Sequence, residues 1–503
     1  MGNGFTVINI MKRASSLFPE KKVISGSRSI TYRDLFEKVL RLSTSMNKMG
    51  ISKGTVIAVA DYNSIEFMEL LFASSLTGSI IYPVNIKLPW NMAMETVKES
   101  GAEYVFASKE FMNAGIYKGF RDDHIVSLSE NGDYIKFHDL LTSDLHREEK
   151  TTGNDNYSIL FTSGTTGKPK EVLYTNEKSV NGALSILYQL GLFNTPAKLT
   201  SSDTILSLIP FYHIWSWGSA FHAAYLGADY IITGKYNPEN VLDAIKENKA
   251  TWINAVPTMV YDLLSHDREN RLDGIKMLIG GSPISKNLAE KLNANGIKFS
   301  TIYGGTDMLA TSISLGRPDQ HESLRSVTYP VPMVSATVRD NTGNILENGT
   351  IGELWINAPW LPEKYLNRPE NHDYENGWFK TGDVGEMTPD GGIKILDRVK
   401  DVVKSGGEWI PTSIIESLIS EFPGIEIVAV TAIADEKWGE RPIAWVKASE
   451  DIEIEEIRQF METHASNGNI NKWWIPVEFI IIEEMPMTSV GKIDKAKLRE
   501  MKK

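Results

Sequence analysis

From its first residues the chain alternates short apolar runs with amphipathic stretches. Leu35, Phe36, Val39, Leu40, Met46 and Met49 recur at helical spacing. Thr31 and Asp34 stand ahead of them near capping-box spacing, and Gly50 stops the run. Residues 55–60 (TVIAVA) read as a buried strand, 64–76 as a helix, and SIIYPV and EYVFAS as further strands. The rhythm returns over 200–303: DTILSLIP, a helix, DYIIT, the helix PENVLDAIKENK, then TWINAVP. Such alternation predicts an α/β fold with largely parallel sheets. No internal repeat stands out.

From about residue 327 the texture changes. VSATVRD, GELWIN and GIKILDR are short β-rich pieces between Gly, Pro, Asn and Asp turns, which predicts a small antiparallel or barrel-like subdomain. DRVKDVVKSGGEW (397–409) is charged, then Gly-rich, and reads as a hinge followed by a tight loop. The remainder predicts helix 413–421, strands 425–433 and 441–448, helix 453–464 and strand 477–482. The expectation is a large N-terminal region, 1–399, of several subdomains with mixed, largely parallel sheets and a small β-rich subdomain. A small α/β C-terminal domain, 400–503, follows.

Composition narrows the function. The 503 residues are 42% hydrophobic and 23% charged, an ordinary globular balance. Lys and Arg number 52 against 64 Asp and Glu, so the net charge is −12. That field disfavours nucleic acid and anionic membrane as partners but leaves room for a local basic pocket. There is no cysteine, which excludes disulfides, thiolate nucleophiles and Cys-based metal sites. The N-terminus lacks a basic start followed by an apolar core. Gly2 and Thr6 match the myristoylation pattern, but so short a pattern is readily met by chance. Residues 204–228 carry no charge, yet Pro210, Gly218, His213 and His222 make a buried strand, turn and helix the better reading than a membrane span. A soluble cytoplasmic protein is expected, with self-association left open.

The strongest chemical signal is Ser158-Ile-Leu-Phe-Thr-Ser-Gly-Thr-Thr-Gly-Lys-Pro-Lys170. An apolar strand runs into a loop where Gly164 and Gly167 allow close backbone approach. Thr162, Ser163, Thr165 and Thr166 bring hydroxyls, and Lys168 and Lys170 bring positive charge. That inventory suits a polyphosphate. The spacing is not that of a Walker A loop, and Pro169 follows the lysine.

TSGTTGKPK resembles the phosphate loop of the adenylate-forming superfamily of acyl-CoA synthetases, peptide synthetase adenylation domains and luciferases. Further elements match in the family's order: Tyr303-Gly-Gly-Thr-Asp307, Gly377-Trp-Phe-Lys-Thr-Gly-Asp383, Asp397-Arg-Val-Lys-Asp401 with Ser405-Gly-Gly-Glu408, and Pro486-Met-Thr-Ser-Val-Gly-Lys492. The resemblance implies ATP, Mg²⁺ and CoA as cofactor and substrates. It implies that Tyr303 stacks on adenine, with Gly304 beside it and Gly281, Ser282 and Pro283 alongside. Thr306 would contact the α-phosphate, Asp307 would hold Mg²⁺, Asp383 would accept from the ribose hydroxyls, and Arg398 would contact ribose or phosphate. Lys492 would bridge the attacking carboxylate and the α-phosphate, where an ammonium cancels the repulsion of two anions. The C-terminal domain that carries it would be mobile, with Lys400 as hinge. Ser405, Gly406 and Gly407 would line a pantetheine tunnel where a side chain would be an obstruction.

Three departures stand out. Asp307 replaces the usual Glu, Glu171 stands where Gly is common, and Asn176-Glu177 replaces a common Ser-His pair. The segment corresponding to the family's substrate-facing stretch is Pro210-Phe-Tyr-His213-Ile-Trp-Ser-Trp-Gly218. It lacks the Asp that pairs with an α-ammonium, so amino acids are poor substrates. His213, Trp215, Trp217 and Gly218 suit an apolar tail, and a packed core equally. SGGEWIP, KWGERP and Trp473-Trp474-Ile475-Pro476 resemble medium- and long-chain fatty acyl-CoA synthetases. The leading expectation is an ATP-dependent acyl-CoA ligase for such an acid. An aryl-acid CoA ligase, an acyl-AMP ligase serving a carrier protein, and an inactive nucleotide- or acyl-binding homologue are the rivals.

Overall fold

The computed structural model describes residues 4–129, 134–144, 151–162, 169–213, 218–315, 326–368, 370, 372–449, 452–487 and 493–502. They group into two compact units, 1–335 with 357–379, and 336–356 with 380–503. The second unit thus takes in two β-rich pieces, 336–356 and 380–399, that precede Lys400.

The helices of the first unit begin where the sequence supplies caps. Thr31 accepts from the Asp34 N–H at 3.1 Å ahead of Tyr32–Lys48, and Ser64 from the Phe67 N–H at 3.0 Å ahead of Ile65–Thr77. Asn237 caps Pro238–Asn248, whose proline stands in the first turn where its missing N–H is harmless.

A seven-stranded sheet runs in the order Ile135–Lys136, Ile125–Ser127, Tyr104–Ala107, Val56–Ala60, Ile80–Pro83, Asn156–Phe161, Glu171–Thr175. Its pairs are parallel except the last, where Asn156–Phe161 and Glu171–Thr175 run antiparallel. The second sheet of this unit runs Val327–Pro330, Leu309–Ile313, Lys298–Gly305, Lys276–Gly280, Trp252–Ala255, Thr204–Ser207, Asp229–Ile232, Lys22–Ser25, Arg28–Thr31. Its parallel centre, from Lys298–Gly305 to Lys22–Ser25, is sealed on one face by Pro238–Asn248, Pro257–His266 and Lys286–Ala294. Val241, Leu242, Ile245, Val260, Leu263, Leu288 and Leu292 face Leu206, Ile253, Met277 and Phe299 there. Within 204–228 the strand and the helix Ser219–Leu226 both form. No helix among the described residues is long and apolar enough to cross a membrane.

In the second unit Trp378–Met387 and Ile393–Arg398 pair antiparallel, as the turn-rich texture predicts. The stretch expected as a tight loop is a β-hairpin, Val403–Ser405 with Glu408–Ile410. Gly406 and Gly407 form its turn at φ 60° and 89°, values that let a two-residue turn follow the strands' twist. The long strands Ile425–Asp435 and Gly439–Ala448 pair beyond it, and Glu478–Ile481 runs parallel to the latter. Thr412–Ile419 and Ile454–Ser466 cover this sheet through Ile415, Ile419, Ile457 and Met461. A last helix, Lys495–Met501, is absent from the sequence-based expectation because only Leu498 in it is buried.

Candidate active site

Parallel strands end together, and loops leaving their carboxyl ends are placed side by side. Gly280 stands opposite Ile302 in register, so 281–283 follow one strand end while Tyr303 closes the next. Gly281 has φ 86°, and 281–283 are exposed.

Beyond Tyr303 the chain doubles back. Gly304 stands opposite Ala310 and Gly305 opposite Leu309. A Cβ at 304 would lie 2.3 Å from the Leu309 carbonyl oxygen, so only glycine closes this turn. Leu309 itself has φ 57°, a conformation side chains resist. Its Cδ1 sits 2.3 Å from where a Cβ on Gly182 would be, so a notch in the Asn176–Leu192 helix receives it.

Thr306, Asp307 and Met308 span the turn, and four aromatic donors from distant segments hold it. Tyr174 donates its hydroxyl to the Thr306 carbonyl at 2.7 Å, and Tyr374 to the Asp307 carbonyl at 2.7 Å. The Trp360 Nε1 donates to the Met308 carbonyl at 2.9 Å. Tyr365 donates to Asp307 Oδ1 at 2.6 Å. Burial raises the Asp307 pKa, and the Tyr365 hydroxyl and Lys170 ammonium partly offset that rise. Lys170 Nζ lies 2.7 Å from Asp373 and 4.5 Å from the centre of the Tyr365 ring. A half-buried carboxylate held on this turn fits Mg²⁺ by its oxygen donors, and a cation there would relieve the cost of its charge.

Lys170 also closes the base of the phosphate loop. The Thr162 N–H donates to its carbonyl at 2.9 Å, and its own N–H donates to Thr162 Oγ1 at 3.2 Å. Residues 163–168, among them Ser163, Gly164, Thr165, Thr166, Gly167 and Lys168, lie outside the described residues, as do Trp215, Trp217 and Lys492.

The departures from the family pattern have structural partners. Glu171 stands opposite Phe161, whose ring meets Tyr82 edge-on at 5.1 Å, so its carboxylate shares an aromatic face. Burial, with Glu99 adding to it, pushes its pKa up to about 7. Asn176 is buried and accepts from the Val7 N–H at 3.1 Å and the Ser75 hydroxyl at 2.6 Å. His213 is exposed, yet the protein mass around it pushes its pKa down to about 4. Gly218, at φ 76°, lets His222 approach: a Cβ would lie 3.0 Å from its Nε2. His222 donates that Nε2–H to the Ala183 carbonyl at 2.8 Å and is neutral, burial pushing its pKa down to about 4.

In the second unit Asp383 and Arg398 are register partners, with Arg398 Nε 2.9 Å from Asp383 Oδ1. Asp383 is buried and Arg398 half-exposed, so the carboxylate arrives already neutralised. Lys400 follows in a turn. Burial lowers its pKa, and its carbonyl accepts from Arg499, which also pairs with Asp401 at 3.2 Å. Asp397 accepts from the Thr412 N–H and hydroxyl, both at 2.6 Å, and Lys495 joins Thr412 to Glu416. Ser405 is buried. Gly406 donates its N–H to the Trp438 carbonyl at 2.8 Å, with the indole close against its α-carbon.

The structure therefore gathers Lys170, 281–283, Tyr303, Thr306 and Asp307 within one unit, and Asp383 with Arg398 within the other. Sequence reasoning missed Tyr174, Trp360, Tyr365 and Tyr374. Trp360, Tyr365 and Tyr374 share only an aromatic-rich stretch, 360–379, and Tyr174 has no local signal.

The fold and turn define an enzyme that binds a nucleotide at strand ends. The chain matches the AMP-binding enzyme family over residues 11–366 and the AMP-binding enzyme C-terminal domain over 414–492. It belongs to that family, the adenylate-forming enzymes. It is 27% identical to a 2-succinylbenzoate–CoA ligase of Geobacillus sp. (strain WCH70), covering 99% of this chain and 98% of that protein. It is 25% identical to a long-chain-fatty-acid–CoA ligase of Thermus thermophilus, covering 98% and 95%. The fold matches that of the Bacillus subtilis O-succinylbenzoate coenzyme A synthetase in complex with ATP and magnesium ion. That likeness has a TM-score of 0.80 and 24% identity, covering 98% of this chain and 99% of the other.

Proposed function

We propose that the protein is an ATP- and Mg²⁺-dependent acid–thiol ligase. It joins a carboxylic acid to AMP with release of pyrophosphate, then transfers the acyl group to the thiol of CoA with release of AMP. The observation that carries this reading is the 304–309 turn: a half-buried carboxylate held by a tyrosine hydroxyl beside a glycine-rich strand end, with Lys170 in reach. Pre-set donors and charges of this kind stabilise charge that develops on a phosphoryl group.

In this reading Tyr303, Gly304 and 281–283 bind adenine, Asp383 and Arg398 bind ribose, and the 162–170 loop binds phosphates. Thr306 orients the α-phosphate. Asp307 would hold Mg²⁺, which supplies neutralisation of phosphate charge. Lys492 neutralises the approach of carboxylate to α-phosphate. Residues 1–399 then carry ATP and acid, 400–503 carry Lys492 and the 405–407 tunnel loop, and Lys400 is the hinge. Neutral at pH 7, His213 orients the acid by hydrogen bonding rather than by charge.

A medium- or long-chain fatty acid is the leading substrate, because the 210–218 segment holds no carboxylate and several aromatic residues. Relatives named 2-succinylbenzoate–CoA ligase support an aryl acid as the second reading. Pyrophosphate exchange into ATP, run with a panel of acids and without CoA, tests both. Exchange with octanoate or palmitate but not benzoate is the expected result. Exchange with aryl acids alone would transfer the assignment to the second reading. ATP binding without exchange for any acid would overturn the ligase.

A further inference from the structure

The segment that carries His213 is not held by the strand that leads into it. Thr204–Ser207 is paired on both sides, and the Leu208 N–H still finds Asn254 Oδ1 at 3.1 Å. Past Leu208 the chain leaves the sheet, and its backbone groups need other partners. One side chain supplies two of them. Asn63 Nδ2 donates to the Ile209 carbonyl at 2.9 Å, and Asn63 Oδ1 accepts from the Phe211 N–H at 2.7 Å. A side-chain amide offers one acceptor and a donor in one plane, the same pairing that a neighbouring strand would present.

Asn63 is itself fixed. It is buried, and it precedes Ser64, the cap of Ile65–Thr77. From that helix Phe67 meets Phe211 edge-on at 5.3 Å. The His213 N–H returns to the Pro210 carbonyl at 2.9 Å and closes a turn. The acid-facing turn is thus suspended from the seven-stranded sheet, while the nucleotide elements 281–283 and 303–307 grow from the other sheet.

We propose that Asn63 is a positioning residue for the carboxylic acid: it sets the 209–213 turn, and through it the discrimination between acids, without acting on the nucleotide. The proposal rests on the ligase reading and adds a residue outside the family motifs identified above. A displacement of about 1 Å in a positioning element costs roughly a hundredfold in rate, so the effect should be large and confined to one substrate.

The test is pyrophosphate exchange by the intact protein and by Asn63→Ala, with octanoate and benzoate each titrated. Hydrogen–deuterium exchange of the peptide spanning 208–213 is measured alongside. Asn63→Ala is expected to raise the KM for the acid about 10- to 100-fold and to compress the octanoate-to-benzoate ratio of kcat/KM. The KM for ATP should stay within about twofold, and deuterium uptake should rise in 208–213 above all. Asn63→Gln, which keeps the amide, should recover part of the acid KM. Asn63→Asp, which keeps the acceptor but opposes an oxygen to the Ile209 carbonyl, should not. These two variants carry the test if the alanine variant does not fold. An unchanged acid KM, an equal rise in the KM for ATP, or unchanged protection of 208–213 would overturn the proposal. Absence of exchange by the wild-type protein would instead overturn the ligase reading, and the deuterium measurement tells the two failures apart.

Discussion

Two glycine-bearing turns, one in each unit, are built on opposite plans. The 304–309 turn runs from an exposed Gly304 to a buried Leu309 and is held by four side-chain donors from other segments. The 405–408 turn closes a short hairpin, with Gly407 meeting nothing within 4 Å of a would-be Cβ. The first plan suits groups that must already be in place when charge develops, since reorganising them would add to the barrier. The second is held by its own strand pairing, with Gly406 against the Trp438 indole and Gly407 open. Rigidity and openness are therefore properties of particular turns here, rather than of either unit as a whole.

The largest expected effect separates the two proposed half-reactions. Lys492→Ala should lower pyrophosphate exchange by about 10³-fold or more, as loss of a transition-state cation does. Thioester formation from supplied acyl-adenylate should stay within a few-fold. Equal loss of both would mean that the division of labour is wrong. Next comes the clamp. Tyr365→Phe removes the hydroxyl that lowers the Asp307 pKa. The carboxyl then protonates at a higher pH, so the acid limb of the exchange–pH profile should move upward. The rate at its plateau should fall about tenfold to a hundredfold. A uniform fall with an unmoved limb would reduce Tyr365 to packing.

A comparable loss in the other half-reaction is expected from Gly406→Val. It puts a branched side chain at φ 60° against the Trp438 indole. Thioester formation should drop at least tenfold while pyrophosphate exchange holds, a pattern read directly by assaying the two steps apart. The smallest effect concerns Glu171. Its pKa of about 7 lies above the ordinary 4.5. The folded state therefore keeps its proton where the unfolded chain has lost it. The stability tied to that proton is whole below about pH 4.5 and fades as pH rises through about 7. Glu171→Gln should match wild type at pH 5 and exceed it by about 2 kcal/mol at pH 8. Thermal melts at the two pH values check this.

Much of the fold was legible because its signals are local. Thr31, Ser64 and Asn237 announce helices one residue before they begin, and the Val- and Ile-rich runs announce strands. The candidate turn stood out in the sequence where chemistry and spacing coincide, as in 303–307, while 163–168 lie outside the described residues. The clamp did not, because Tyr174, Trp360, Tyr365 and Tyr374 lie far along the chain from the turn they hold, and nothing local marks a tyrosine as a donor. The Val403–Ile410 hairpin was hidden by charge, since Lys404 and Glu408 face solvent on strands whose buried partners are few. The pieces 336–356 and 380–399 read as neighbours of what precedes them, because sequence order is the only proximity that a sequence states.

The seat of Leu309 in the Gly182 notch has a consequence for how this enzyme can be altered. The two positions form a matched pair. A Cβ at 182 would meet the tip of the leucine, which must swing aside to admit it, while a smaller residue at 309 leaves an unfilled hole behind the turn. A larger residue at 182 is therefore best tested together with a shorter one at 309, and the pair is read by how far the two changes depart from additivity in a thermal melt.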